Sequence, residues 1–117
     1  MYIETARAPG ATPVLMTPIP LRQWEDGELV DTHGDYPEVI RRVAKEKNVP
    51  LLEITIPAMQ LLREMGPEAA KPLYMHFPAG MYPAYPDGGQ DDVHTQREGA
   101  LFYARLTAEA LKAQGLV

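Results

Sequence analysis

Asp91 and His94 lie three residues apart in the stretch YPDGGQDDVHTQREGALFYARL, where a glycine-rich segment runs into an amphipathic one. A carboxylate that accepts the proton of one imidazole nitrogen leaves the other nitrogen free to act as a general base, the orienting role of the acid in a nucleophile–base–acid triad. The third member, a nucleophile, is missing: the 117 residues contain neither Cys nor Ser. A Thr nucleophile needs its own activating base or a terminal amine, and Thr95, beside the pair, reads as a helix cap. Asp-x-x-His is a short pattern that also recurs by chance in acidic turns. Asp91 and His94 are therefore the candidate catalytic residues, as acid and base without a partner nucleophile.

Other side chains nearby have chemistry to offer. Asp87, Asp91, Asp92, His76 and His94 carry oxygen and nitrogen donors in one region, but no two His have helical ligand spacing and no thiolate is present. No metal and no other cofactor is expected. Tyr82 and Tyr85, interleaved with Pro83 and Pro86, are candidate substrate-binding residues as an aromatic platform for a sugar ring; the alternative is that they anchor their loop by packing. His33, in DTHGDYP, reads as a loop residue beside a helix cap.

The elements that must position these residues follow from periodicity and punctuation. A helix over residues 2–8 ends at Pro9 and Gly10, and VLMT, residues 14–17, is a short apolar strand between prolines. A polar loop with Trp24 and the turn EDGE precedes DYPEVIRRVAKEKN. There Asp35 and Glu38 stand in capping-box spacing, Pro37 occupies the first turn, and Val39, Ile40, Val43 and Ala44 form one stripe closed by Asn48 and Pro50. A second strand follows over 51–54, apolar enough to be covered on both faces. Strand, helix and strand at this length predict a right-handed βαβ unit. A helix over about 57–65, with Met59, Leu62 and Met65 inward, stops at Gly66 and Pro67. Residues 71–90 read as a long irregular loop. The last helix is opened by Thr95 and Glu98 and lined by Leu101, Ala104, Ala108 and Leu111.

Length and composition set the frame. At 117 residues the chain, residues 1–117, is one domain. A formal net charge of −5 without any Lys/Arg stripe argues against nucleic acid or an anionic membrane as partner. Twelve prolines imply stiff, defined loops. The opening MYIETARAPGATPVLM has no basic flank and no long apolar core, so neither a signal peptide nor a membrane anchor is expected within it. Compartment stays open.

The segments TPVLMTPIPLR, THGDYPEVIRRVAKEKNVPLLEI, YPDGGQDDVHTQREGA and the terminal helix together resemble the C-terminal half of the GDSL-type SGNH hydrolases, in particular the rhamnogalacturonan acetylesterase-like branch. The resemblance spans nearly the whole chain and rests on an ordered series of segments at matching intervals. It implies a partial three-layer α/β/α fold of flavodoxin-like type with a short parallel sheet, and ester hydrolysis through an acyl-serine intermediate on acetylated polysaccharides. The family's triad acid and base fall on Asp91 and His94. Its nucleophilic Ser, and the Gly and Asn that build the oxyanion hole, belong to blocks preceding the matched region. Asn48, the only Asn, matches none of them. The resemblance thus implies a chain inactive alone, working either as a homo-oligomer or with a separate chain that supplies the Ser-containing half. Non-catalytic binding of carbohydrate or protein through the Tyr-rich loop is the alternative, and direct activation of water by His94 is a third reading.

Overall fold

The computed structural model describes residues 2–117. Helix α1 (Tyr2–Arg7) buries no side chain; Arg7 instead reaches across to donate to the carbonyls of Lys47 and Asn48 at 2.8 and 3.1 Å. The proline-bounded apolar run forms β1 (Leu15–Met16), which pairs in parallel with β4 (Leu51–Leu52), Leu15 opposite Leu51 and Met16 opposite Leu52. Helix α2 (Tyr36–Glu46) connects them. The expected mixed α/β fold with a short parallel sheet is therefore present as a two-stranded nucleus.

Its faces are only partly covered. Met16 and Val14 are 45% and 37% exposed, and of α2 only Pro37 and Ala44 are buried. Leu52 is buried but Leu51 only half so, which corrects the expectation that this strand is covered on both faces. The radius of gyration is 16.7 Å, where a compact domain of this length would have about 13 Å.

Between β1 and α2 the EDGE turn closes a small hairpin, β2 (Trp24–Glu25) and β3 (Glu28–Leu29). Asp26 and Gly27 both take positive φ, 49° and 83°, as an Asp-Gly type I′ turn requires. Helix α3 (Thr55–Ala69) is broken at Gly66, whose φ of 80° and ψ of 169° are outside the helical region; the helical reading up to Met65 holds, and Pro67 begins a separate turn. The N-terminus of α3 is capped from elsewhere. Thr17, fully buried, accepts the N–H groups of Ile54 and Thr55 at 2.8 and 3.0 Å and donates to Glu53 at 2.9 Å.

Residues 71–90 are more regular than their prolines implied. After a 3₁₀ turn at Lys71–Leu73, β5 (Tyr74–Phe77) pairs antiparallel with β6 (Gly89–Thr95), leaving 78–88 as the connecting loop. Helix α4 (Arg97–Ala113) ends the fold. Of the aliphatic stripe expected on its inward face only Leu111 packs on the core: Gly99 and Tyr103 are buried, Phe102, Leu106 and Ala110 join Leu111 against the core, and Leu101, Ala104 and Ala108 are exposed. The helix carries apolar residues on more than one side, and its aromatic side is the one that finds partners. Phe102 joins two core clusters, one around Leu29, Met59, Leu62 and Tyr74, the other around Leu52, Ile54 and Tyr103. Between them the Tyr74 hydroxyl donates to the Pro20 carbonyl at 2.7 Å and meets the Tyr103 hydroxyl at 2.8 Å.

Both expected capping boxes fail. Asp35 lies in the helical region (φ −80°, ψ −6°) and makes no side-chain cap, and Glu38 pairs with Arg41. Thr95 is paired with Tyr74 in the ladder, so the residue preceding α4 is Gln96. Its amide is committed to the Tyr74 and His76 carbonyls at 2.6 and 3.0 Å rather than to the helix. No helix of the described residues is long and apolar enough to cross a membrane.

Candidate functional site

The ladder of β5 and β6 is regular from Gly89 to Asp91 and then jumps: Met75 faces Asp91, whereas the preceding Tyr74 faces Thr95. Asp92, Val93 and His94 thus bulge out of the sheet, a device that re-aims side chains at the end of a strand. The bulge is organised by Asp91 itself. Its Oδ1 accepts the backbone N–H of Val93 at 2.7 Å and of His94 at 3.0 Å, as Asp does in turns. Its Oδ2 meets the Nδ1 of His94 at 2.8 Å.

That division of labour accounts for the spacing of three. One oxygen folds the backbone so that residue 94 comes back over residue 91, and the other takes the ring that arrives. The Asp91 carboxyl is lowered from its ordinary value to about 2, chiefly by the His94 backbone and ring hydrogen bonds and then by that of Val93. It is ionised at neutral pH and can only accept, so Nδ1 carries the proton and, in the neutral ring, Nε2 holds the lone pair. The His94 side chain is 72% exposed, and Nε2 has no protein partner among the described residues. The expected placement before α4 holds in part: His94 lies at the end of β6, two residues short of the helix, and not beside a Thr95 cap.

Next to the pair is an open cleft of about 660 Å³ bordered by Met75, Tyr85, Gly88, Asp91, His94 and Thr95. Tyr85 also borders a smaller hollow of about 210 Å³ with Tyr82, Phe77 and Met75. Both tyrosines pack edge-on against Phe77, with ring centroids 4.9 and 5.4 Å away, yet stay 44% and 45% exposed. They therefore anchor their loop and line a surface at once. Gly88 and Gly89 permit this packing, since a β-carbon on Gly89 would stand 2.5 Å from the Phe77 ring.

The other donors do not join the Asp91–His94 pair. Asp92 has partners of its own, its Oδ1 accepting from the His76 Nε2 and from Arg22 Nη1. Arg22 is buried, 7% exposed, and its Nε and Nη2 donate to the Pro67 carbonyl at 3.1 and 2.7 Å. His33 meets the Ile19 carbonyl at 2.8 Å and tethers its loop. Among the described residues no group of three His, Asp or Glu is arranged to hold a metal ion. Arg22, and the pairing of His76 with Asp92, escaped the sequence reading. The one signal was an Arg closing the apolar run TPIPLR, a place where a buried guanidinium demands a carboxylate.

No family model matches the chain. Two curated proteins of Bacillus subtilis (strain 168) do: the rhamnogalacturonan acetylesterase RhgT, 36% identical over 99% of this chain and 50% of its own length, and the probable rhamnogalacturonan acetylesterase YesY, 30% identical over 98% of this chain and 49% of its own. The chain thus spans about half the length of the curated relatives it matches. Among solved structures, the X-ray crystal structure of the Bacillus subtilis protein YXIM superposes with a TM-score of 0.74 at 26% identity, covering 98% of this chain and 29% of that one.

Proposed function

We propose that this chain, which corresponds to the C-terminal half of a GDSL-type SGNH hydrolase of the rhamnogalacturonan acetylesterase-like branch, supplies the acid–base pair of a carbohydrate acetylesterase site. The observation that carries this reading is the Asp91 carboxylate holding His94 Nδ1 at 2.8 Å while Nε2 stays unpartnered. In the proposed reaction Nε2 takes the proton of an attacking hydroxyl as its oxygen bonds to the acetyl carbon. The tetrahedral intermediate then collapses, the sugar oxygen leaves with the proton from Nε2, and water repeats the cycle to release acetate. Asp91 stays ionised and orients the ring.

The attacking hydroxyl comes from outside these 117 residues, which contain no Ser. The whole of residues 1–117 is read as one part of the hydrolase domain, and the complementary Ser-bearing segment is its partner. Tyr82 and Tyr85 form the aromatic wall on which an acetylated polysaccharide lies. The test is to mix the purified chain with a separately expressed Ser-bearing half of a related esterase and follow acetate release from an aryl acetate and from acetylated rhamnogalacturonan. Turnover should appear only in the mixture. His94→Ala should lower it by about 10²–10⁴-fold, the usual contribution of general-base catalysis, and Asp91→Asn by a comparable factor. A complex that forms yet turns over equally well with His94→Ala refutes the assignment.

A second reading is favoured by the tyrosine-lined hollow, which exists without any nucleophile: binding of carbohydrate by the chain alone, with no turnover. Calorimetric binding of the polysaccharide lost in Tyr82→Ala and Tyr85→Ala, with no catalysis in any mixture, distinguishes it.

A further inference from the structure

Arg22 and Asp92 are joined twice, the Arg22 N–H donating to the Asp92 carbonyl at 2.9 Å and its guanidinium to the Asp92 carboxylate. The same guanidinium holds the Pro67 carbonyl, just after the break in α3, through two nitrogens. His76, on β5, closes the arrangement from the other side at 2.6 Å. Two parts of the chain, the run after β1 and β5, therefore converge on one residue of the bulge, and the first of them is itself anchored to the α3 break. That residue sits next to Asp91 and two before His94.

We propose that Arg22, Asp92 and His76 are positioning residues that fix the β6 bulge and thereby set the Asp91–His94 geometry. The physical need is plain. The Asp91 side chain bonds only within its own turn, to Val93 and His94, and although the ladder holds Asp91 and Thr95 at the two ends of the bulge, the residues between them have no ladder partner to fix their orientation. Asp92 provides the tie. Its carboxylate, 46% exposed, is gripped by a guanidinium that is only 8% exposed, and Arg offers a rigid fork for several acceptors at once, which Lys does not. His76 adds a second donor to the same oxygen, so rotation of the Asp92 side chain would break both bonds together. Among the described residues the Arg22 and His76 side chains form no hydrogen bond to Asp91 or His94, so they act through Asp92.

The proposal rests on the reading of Asp91 and His94 as the acid–base pair, but its test reads their geometry in the chain itself and needs no activity. The Asp91 carboxyl is followed by ¹³C NMR titration and the His94 ring by ¹⁵N–¹H correlation in Arg22→Lys, Asp92→Asn and His76→Gln. With the brace loosened, the Asp91 midpoint should rise from about 2 toward the ordinary 3.8, and the His94 Nδ1 proton should lose its hydrogen-bonded shift. Electrostatics cannot mimic this in Asp92→Asn or Arg22→Lys, whereas His76→Gln, which exchanges a basic group for a neutral one, is read from the His94 ring proton alone. Asp92→Asn removes a neighbouring negative charge, which alone would lower the Asp91 midpoint; Arg22→Lys keeps its charge. Arg41→Gln, which destabilises by breaking the pair with Glu53 on a different element, should leave both readouts unmoved. If Arg22→Lys does not fold, the Asp91 midpoint of Asp92→Asn and the His94 ring proton of His76→Gln decide. Folded variants in which Asp91 still titrates near 2 and the ring proton is unshifted overturn the proposal, whatever becomes of the esterase reading. Should reconstitution with a Ser-bearing half fail while the Asp91 midpoint moves as stated, the brace stands and the catalytic reading falls.

Discussion

Gly99 of α4 lies against the backbone of Leu73, so close that a β-carbon on Gly99 would stand 1.9 Å from the Leu73 carbonyl oxygen. The contact seats the first turn of α4 on the 3₁₀ turn before β5, and Gln96 reinforces it by donating its N–H to the same carbonyl at 3.1 Å. Neither backbone can yield without moving the end of β6 that carries His94. Gly99→Ala is expected to cost about 1–3 kcal/mol or more, as overpacking does, measured by urea unfolding, and to weaken the near-ultraviolet circular dichroism of the buried Tyr74–Tyr103 pair. A stability equal to wild type would mean that α4 is not held by this contact.

Thr17 acts as the cap of a helix to which it does not belong. Its hydroxyl serves two buried N–H groups at the start of α3 and hydrogen-bonds Glu53. Thr17→Val keeps the shape and strands those groups, so a loss of about 1–3 kcal/mol is expected from unsatisfied buried donors. Burial pushes the Glu53 carboxyl up, but hydrogen bonds from Arg41, Thr17 and the Ile56 N–H outweigh it and hold the group below its ordinary value. Removing the Thr17 bond should raise the Glu53 midpoint, read by ¹³C NMR.

What the sequence revealed was local. The α2 stripe between two apolar runs predicted the parallel pair of β1 and β4, and the Asp-Gly of EDGE marked a turn that became a hairpin. Gly66 and Pro67 stopped α3 where they should. Capping was misread because a cap depends on the backbone angles of its residue: Asp35 is already helical and Thr95 is still in a strand. YMHF was hidden as a strand by the prolines around it, since its partner lies a loop away. A stripe through Leu101, Ala104, Ala108 and Leu111 matches the core face of α4 only at Leu111, because Phe102 and Tyr103 take the inward side at its start. At the site, the Asp-x-x-His pair was legible because a turn of three residues makes its own geometry. The Arg22–Asp92 tie spans 70 residues of sequence, and no local pattern encodes it.

The acid behaviour of the site follows from Asp91. Its folded-state value, about 2, lies below the ordinary 3.8. The associated stabilisation is therefore complete above pH 3.8, declines as the pH falls through the interval, and is gone below about 2. Wild-type protein should lose thermal stability between pH 4 and pH 2 more steeply than Asp91→Asn. A titration midpoint of Asp91 near 4 would show that the His94 and Val93 hydrogen bonds do not persist in solution.

Association should follow from the open side of the parallel pair. Among the described residues β1 pairs with β4 alone, and Val14 and Met16 stay exposed beside it. Leu101, Ala104 and Ala108 leave a further apolar strip of α4 uncovered. An unpaired strand edge flanked by apolar surface is a template for another strand, and a two-stranded parallel sheet has less cover than such sheets require. The chain is accordingly expected to associate at micromolar concentration in sedimentation velocity. Met16→Lys, which places a charge beside that edge, should shift it toward monomer and leave the far-ultraviolet circular dichroism unchanged. Adding the Ser-bearing half of a related esterase should compete with self-association, because both would use the β1 edge. If the wild-type chain sediments as a monomer across the whole concentration range and ignores the added half, the edge is not a docking surface, and the hydroxyl that His94 is proposed to activate must reach the cleft by another route.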